Sequence, residues 1–143
     1  MIESPAVGFT GSRYGMTPEQ RVSLLYLLGG GRWAVLHHGD CVGADTEAHH
    51  AARLSGLAVV VHPPVVGTLR ARLAGDQIRP PRSYLERNRV IVMSGDLLIA
   101  APLSMSDRTG GTWYTIRYAR KNGKPVSVIT PDGRVLRGED VGR

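Results

Sequence analysis

Five short apolar runs, separated by longer stretches with helical patterning, limit what this chain can fold into. They are AVGFT at 6–10, WAVLH at 33–37, LAVVVH at 57–62, DLLIAAP at 96–102 and PVSVIT at 125–130. Each is short and almost continuously apolar, the pattern of strands covered on both faces of a parallel sheet. Between them lie clear helix signals. TPEQ at 17–20 places Thr17 as N-cap, Pro18 in the first turn and Gln20 in the capping-box position. That helix is expected to run to Leu28 and stop at Gly29-Gly30-Gly31. After GDCVGAD at 39–45, the residues Ala44, Ala48, Ala51, Ala52 and Ser55 recur at helical spacing and form a small-residue face suited to close packing on a sheet, with Gly56 at the C-cap. Further helices are expected over 84–93 and 111–121, the latter stopped by Asn122-Gly123. Strand and helix alternating in this way specify an α/β fold, a single Rossmann-like domain over 1–143. Its mostly parallel sheet is expected to hold about five or more strands with helices on both faces. Only residues 63–82, with four prolines, lack a regular pattern, which marks them as functional or mobile.

Composition narrows the function classes. A length of 143 residues suits one domain with a real core. The single cysteine, Cys41, excludes an internal disulfide and fits a cytoplasmic location. No run approaches the roughly 18 apolar residues of a membrane span. The opening MIESPAVGF has neither the basic nor the apolar segment of a secretion signal, so no membrane partner is expected. The net charge is +6, and Lys121 and Lys124 are the only lysines. Arg70, Arg72, Arg79, Arg82, Arg87 and Arg89 fall within 20 residues. Arginine makes flat, two-pronged contacts with phosphate, so a nucleotide or a nucleic acid is the expected partner; the alternative is a solvated basic surface.

In a doubly wound sheet, ligands bind beyond the carboxyl ends of the strands. Three glycine-bearing turns are expected there. Gly11, Ser12 and Arg13 lie in the first, at a helix start that offers free N–H groups to an anion. Gly39, Asp40 and Gly43 lie in the second, and Gly110, Gly111 and Thr112 in the third. None matches G-x-G-x-x-G or G-x-x-x-x-G-K-[ST]. Asp45, in the first turn of its helix, either complements the helix dipole or binds a ligand hydroxyl or base. Glu86 adjoins Arg87 and Asn88 and is either a catalytic carboxylate or the partner of a neighbouring arginine. His37, His38, His49, His50 and His62 lack metal-ligand spacing, so no metal is expected. Cys41 is a reactive thiol if a helix start lowers its pKa, and otherwise a small turn residue. Trp113 and Tyr114 could stack on a base, fill core or anchor a dimer contact.

Four segments together resemble the SLOG superfamily of Rossmann-like proteins, which includes the lonely-guy nucleotide phosphoribohydrolases and the DNA-processing protein A. GFTGSR at 8–13 looks like its first-strand turn. In HHGDCVGADTEAHHAA, Gly39, Gly43, Asp45, Ala48, His49 and Ala52 fall on the pattern S-G-x-x-x-G-x-D-x-x-A-H-x-x-A. SYLERNRVIV resembles an R-N-R-x-I segment through Arg87, Asn88, Arg89 and Ile91, and GGTWYTIRYA resembles G-[ST]-x-x-T-A. Arg87 also falls on the arginine of the phosphoribohydrolase motif M-H-x-R-K, whereas Thr115 stands where those enzymes carry their catalytic glutamate. The resemblance implies a nucleotide-sized pocket contacted by Gly11, Ser12, Arg13, Gly39, Asp40, Gly43, Arg87, Asn88, Gly110, Gly111 and Thr112. It also implies a homodimer and no separate cofactor. Three functions follow from it. One is a nucleotide sensor or sequestering protein. Another is an N-glycosidase acting on nucleoside monophosphates, with Glu86 or Asp45 as the acid. The third is DNA binding.

Overall fold

The computed structural model describes residues 4–138. The chain runs β1 (Ala6–Gly11), α1 (Pro18–Leu28), β2 (Val35–His38), α2 (Ala44–Leu54), β3 (Ala58–Val61), β4 (Gln77–Ile78), α3 (Tyr84–Ser94), β5 (Leu97–Ala101), α4 (Gly111–Lys121), β6 (Val126–Ile129) and β7 (Val135–Arg137). The seven strands form one sheet in the order β4-β3-β2-β1-β5-β6-β7. All neighbours pair in parallel except β6 and β7. From β1 the chain builds outward through β2 and β3 to β4, then crosses back to lay β5 on the other side of β1. The ends of β1 and β5 are therefore the point where the winding reverses, the place where such sheets open a crevice.

Two apolar layers hold the sheet. Against α1 and α2, the side chains of Val7, Phe9, Leu24, Leu28, Leu36, Val59 and Val61 are buried with the alanine face of α2. Against α3 and α4, Val92, Leu98, Ala100, Trp113, Ile116 and Val128 close the second layer. A fully buried Leu, Ile or Val contributes about 1.5–3 kcal/mol. The expected capping box is present: Thr17 Oγ1 accepts from the Gln20 amide at 3.0 Å, and Gln20 Oε1 accepts from the Thr17 amide at 3.0 Å. Gln20 Nε2 then donates to the carbonyls of Pro102 and Ile129, each at 3.0 Å, which ties α1 to the ends of β5 and β6.

Two strands lie outside the apolar runs. β4 has only two residues, both exposed, and β7 has three after the turn at Pro131-Asp132-Gly133. Edge strands this short bury too little to leave a pattern. β2 begins at Val35 rather than at Trp33, which packs beside the first apolar layer instead.

Candidate functional site

A cavity of about 640 Å³ opens at the carboxyl ends of β1 and β5. That volume suits a small-molecule ligand. The turns after β1, β2 and β5 wall it, together with the first two turns of α3.

The β5–α4 turn ends at Gly110, the N-cap of α4, with φ +90° and ψ −179°, a conformation open to glycine and strained for other residues. No side chain caps this helix start, and its first turn holds no acid. Gly110, Gly111, Thr112 and Trp113 line the cavity, so the positive end of the α4 dipole is directed at it. Across the cavity, the β1–α1 turn brings Gly11, Ser12 and Arg13 to the wall. Ser12 Oγ accepts from the Tyr14 amide at 3.0 Å, and Arg13 lies over the Tyr14 ring at 5.0 Å. Gly43 joins this turn to the next. Its φ is +88°, and a Cβ there would stand 2.8 Å from the Ser12 carbonyl oxygen and closer still to the Arg13 carbonyl. The adjoining Ala44 amide donates to the Ser12 carbonyl at 2.9 Å.

Arg87, from α3, is only 6% exposed. Its Nη1 donates to the Gly39 carbonyl and, at 3.4 Å, to the His62 carbonyl; its Nε donates to Asn88 Oδ1 at 2.7 Å. The guanidinium also lies over the Tyr84 ring at 5.3 Å. Among the described residues no carboxylate pairs with it and Nη2 has no partner. No fully buried side-chain nitrogen or oxygen among them is left unsatisfied, so Nη2 keeps access to solvent, on a side chain that lines the cavity. Asp45 is equally buried at 6% exposure. Its Oδ2 accepts from the amides of Gly39 at 3.1 Å and Cys41 at 3.2 Å. Burial pushes its carboxyl up to about 6, partly offset by the Arg87 charge and these two amides.

Of the residues singled out in the sequence, Gly11, Ser12, Arg13, Gly39, Asp45, Arg87, Asn88, Gly110, Gly111 and Thr112 come together at this cavity. Asp40, Gly43 and Glu86 do not line it. Asp40 is fully buried on the far side of its turn, where Oδ2 accepts from Arg70 Nε at 2.8 Å and Oδ1 from the Leu73 amide at 2.9 Å. It pins residues 70–73 to the β2–α2 turn. Glu86 is exposed; Oε1 accepts from Ser83 Oγ at 3.1 Å and Oε2 lies 3.8 Å from Arg82. Thr115 is buried and donates through Oγ1 to the Gly111 carbonyl of its own helix at 2.8 Å.

Leu69, Leu103, Ser104 and Asp107 also line the cavity. They come from irregular loops, where no spacing announces a wall position. Trp113, a candidate dimer anchor, is 3% exposed and donates through Nε1 to the Ser104 carbonyl at 3.0 Å; it belongs to the core. The Cys41 thiol is pushed up by burial, the opposite of the activation a helix start would give. The histidines form two buried hydrogen-bonded pairs, His37 Nδ1 with His62 Nε2 at 2.8 Å and His38 Nε2 with His49 Nδ1 at 3.0 Å. The arginine cluster is divided among tasks. Arg70 holds Asp40, Arg82 faces Glu86, Arg87 lines the cavity, and Arg89 donates to Tyr114 Oη at 3.0 Å.

A doubly wound sheet with a cavity at its winding reversal, walled by helix starts, defines a Rossmann-like domain. No protein-family model matches the chain, and no curated protein matches its sequence. Among solved structures it is similar to the molybdenum cofactor binding protein of the phototrophic bacterium Rippkaea orientalis, at 24% identity over 91% of this chain and 78% of that one, with a TM-score of 0.72. It is similar as well to the molybdenum cofactor carrier protein of Chlamydomonas reinhardtii, at 22% identity over 90% of this chain and 78% of that one, with a TM-score of 0.64. At this level of identity the likeness shows the fold. No helix among the described residues is long and apolar enough to cross a membrane.

Proposed function

We propose that the cavity binds a small phosphate-bearing heterocyclic ligand, a nucleotide or nucleotide-like cofactor, and holds it without cleaving it. The observation that carries this reading is Arg87, a buried guanidinium that lines the cavity and has no carboxylate partner among the described residues. A buried charge is costly unless paired, and an anionic ligand supplies the missing partner. The uncapped start of α4 offers a second anchorage for phosphate. The two similar proteins are a binder and a carrier of the molybdenum cofactor, which supports a holding role and makes that cofactor, as cargo, the first ligand to test beside the nucleoside monophosphates. The cavity volume and the donors on its wall suit either ligand.

Thr115 supports binding over cleavage. Breaking an N-glycosidic bond develops positive charge on the ribose ring, and a carboxylate must stand beside it. The hydroxyl in that helix position is bonded to its own backbone instead, and of the two other candidate acids Glu86 lies off the cavity while Asp45 is tied through Oδ2 to two backbone amides. The test is calorimetric titration of the purified chain with the molybdenum cofactor and each common nucleoside monophosphate, with chromatography for released base. Saturable binding without released base is expected. Turnover of about 1 s⁻¹ or faster, inside the ordinary enzyme range, overturns the holding role. Absence of binding to every one of these ligands overturns the reading as a whole.

A further inference from the structure

Asp45 is the one buried carboxylate among the described residues that line the cavity. Arg87, Ser12, Arg13 and the first amides of α4 all favour an anion, whereas an ionised carboxylate only accepts hydrogen bonds and repels phosphate. Of the other carboxylates singled out above, Asp40 and Glu86 lie off the cavity, and Asp107 lies at the exposed rim with Oδ1 already accepting from the Thr109 hydroxyl at 2.7 Å. The Asp45 carboxylate is also held in one orientation, because the Gly39 and Cys41 amides both bind Oδ2. Its Oδ1 has no partner among the described residues, and since no fully buried oxygen there is unsatisfied, Oδ1 keeps access to solvent on a residue that lines the cavity. Asp45 and Arg87 share this wall without closing an ion pair within 4.0 Å. An acceptor atom and a donor atom thus share one wall, each without a hydrogen-bond partner among the described residues.

We propose that Asp45 selects the ligand by accepting, through Oδ1, a hydrogen bond from a ring-edge N–H. The cavity then takes heterocycles that present such a donor, as the lactam and amine edges of guanine and pterins do, in preference to phosphates that carry none. This rests on the phosphate-ligand reading above. It also orients the ligand, because the phosphate is drawn to Arg87 and the α4 start and driven from Asp45, which turns the ring toward Oδ1. Sites built to pair with a substrate N–H reject analogues lacking it, because the site's own polar group is left unpaired.

The experiment compares three probes by calorimetry: guanosine 5′-monophosphate, its derivative methylated at N1 and doubly at N2 so that no ring-edge N–H remains, and ribose 5-phosphate. The wild-type chain is expected to bind the first at least tenfold more tightly than either of the others. Asp45→Asn is expected to reduce that affinity at least tenfold while ribose 5-phosphate affinity changes by less than twofold, a split that a merely structural role for Asp45 would not produce. Equal wild-type affinity for all three probes overturns the selection by Asp45 and leaves the phosphate site standing. A uniform loss in the variant with its melting transition intact overturns it too. Failure of all three to bind removes the phosphate-ligand reading and this one together. The methylated probe needs no variant, so the test holds even if Asp45→Asn does not fold.

Discussion

Helices α2 and α4 both start from a glycine with positive φ, +88° at Gly43 beside the cavity and +90° at Gly110 on its wall, and neither glycine brings a side chain to cap its turn. Their surroundings differ. At α2 the chain covers part of its own helix start. The Ala44 amide donates to Ser12, and Asp45 and Glu47 stand in the first turn. Glu47 accepts from the Met16 amide at 2.6 Å and pairs with Arg21 at 2.9 Å. At α4 there is no acid in the first turn, and a Cβ placed on Gly110 or Gly111 would meet only open space. The same sequence signal, glycine before a helix, therefore builds a joint in one place and leaves an uncapped helix start facing the cavity in the other. What separates them is whether another part of the chain folds back onto the open amides.

The two ends also rest on different material, which acid should expose most strongly. β2 and β3, which flank α2, carry His37, His38 and the neighbouring His62 beside their apolar layer, while β5 and β6, on which α4 packs, carry no histidine. Burial pushes His37 down to about 4 and His38 and His62 to about 3 from the ordinary 6.5. The unfolded chain then binds more protons between about pH 4 and 6.5, so stability falls as pH falls through that window, by up to about 1.4 kcal/mol per pH unit for each group. Asp45 acts in the opposite sense. Its carboxyl, pushed up to about 6 from 3.8, holds a proton in the folded state that is lost as pH rises through 6, so its contribution is present at low pH. Three imidazoles outweigh one carboxyl, and a net loss of roughly 3 kcal/mol or more is expected between pH 7 and pH 4.5. Urea denaturation at the two pH values checks this; an unchanged midpoint would sink it.

Gly43→Ala breaks the contrast from the structural side. The new Cβ is strained by the positive φ and collides with the Ser12 and Arg13 carbonyls. We expect a loss of about 3 kcal/mol or more. Gly110→Ala meets no neighbour, so only its backbone strain of about 1–3 kcal/mol counts. Equal shifts in the two urea midpoints would show that α2 is not the closed joint described here. From the ligand side, Arg87→Ala should weaken phosphate-ligand affinity by about 1.5–3 kcal/mol, the range for a charge-assisted hydrogen bond. Titration of the folded variant with unchanged affinity would remove Arg87 from the site.

The helices were legible because their ends carry residue-specific chemistry. Thr17 and Gln20 close a capping box, Gly29 follows the last turn of α1, and Asn122-Gly123 stops α4. The turn glycines could be set at the strand ends because the backbone there demands them. Side-chain direction was harder to read. Asp40 was expected at the ligand, but residues 70–73 fold back over its turn and take both carboxylate oxygens. Glu86 sits beside Arg87 in sequence, yet on a helix adjacent residues point about 100° apart, so one reaches the cavity and the other the surface. Leu69, Leu103 and Asp107 come from loops whose course depends on the whole fold, and nothing local marks them.

The smallest expected effect is also the sharpest test of the difference between the two helix starts. Thr112→Asp gives α4 the first-turn acid that α2 already has. Position 112 lines the cavity and is half-buried, at the positive end of the α4 dipole. If that end is unanswered in the free protein, the new carboxylate should stabilise the fold by about 0.3–1 kcal/mol at low ionic strength, an effect that salt reduces. The same carboxylate would occupy the proposed anion seat and repel phosphate, so ligand affinity should fall while stability rises. The two quantities are expected to move in opposite directions, so both are measured on the same variant. Melting curves at low and high salt give the first and titration with a nucleoside monophosphate gives the second. A variant that is less stable at low salt, or that binds phosphate as well as the parent, would place the ligand's charge somewhere other than the start of α4.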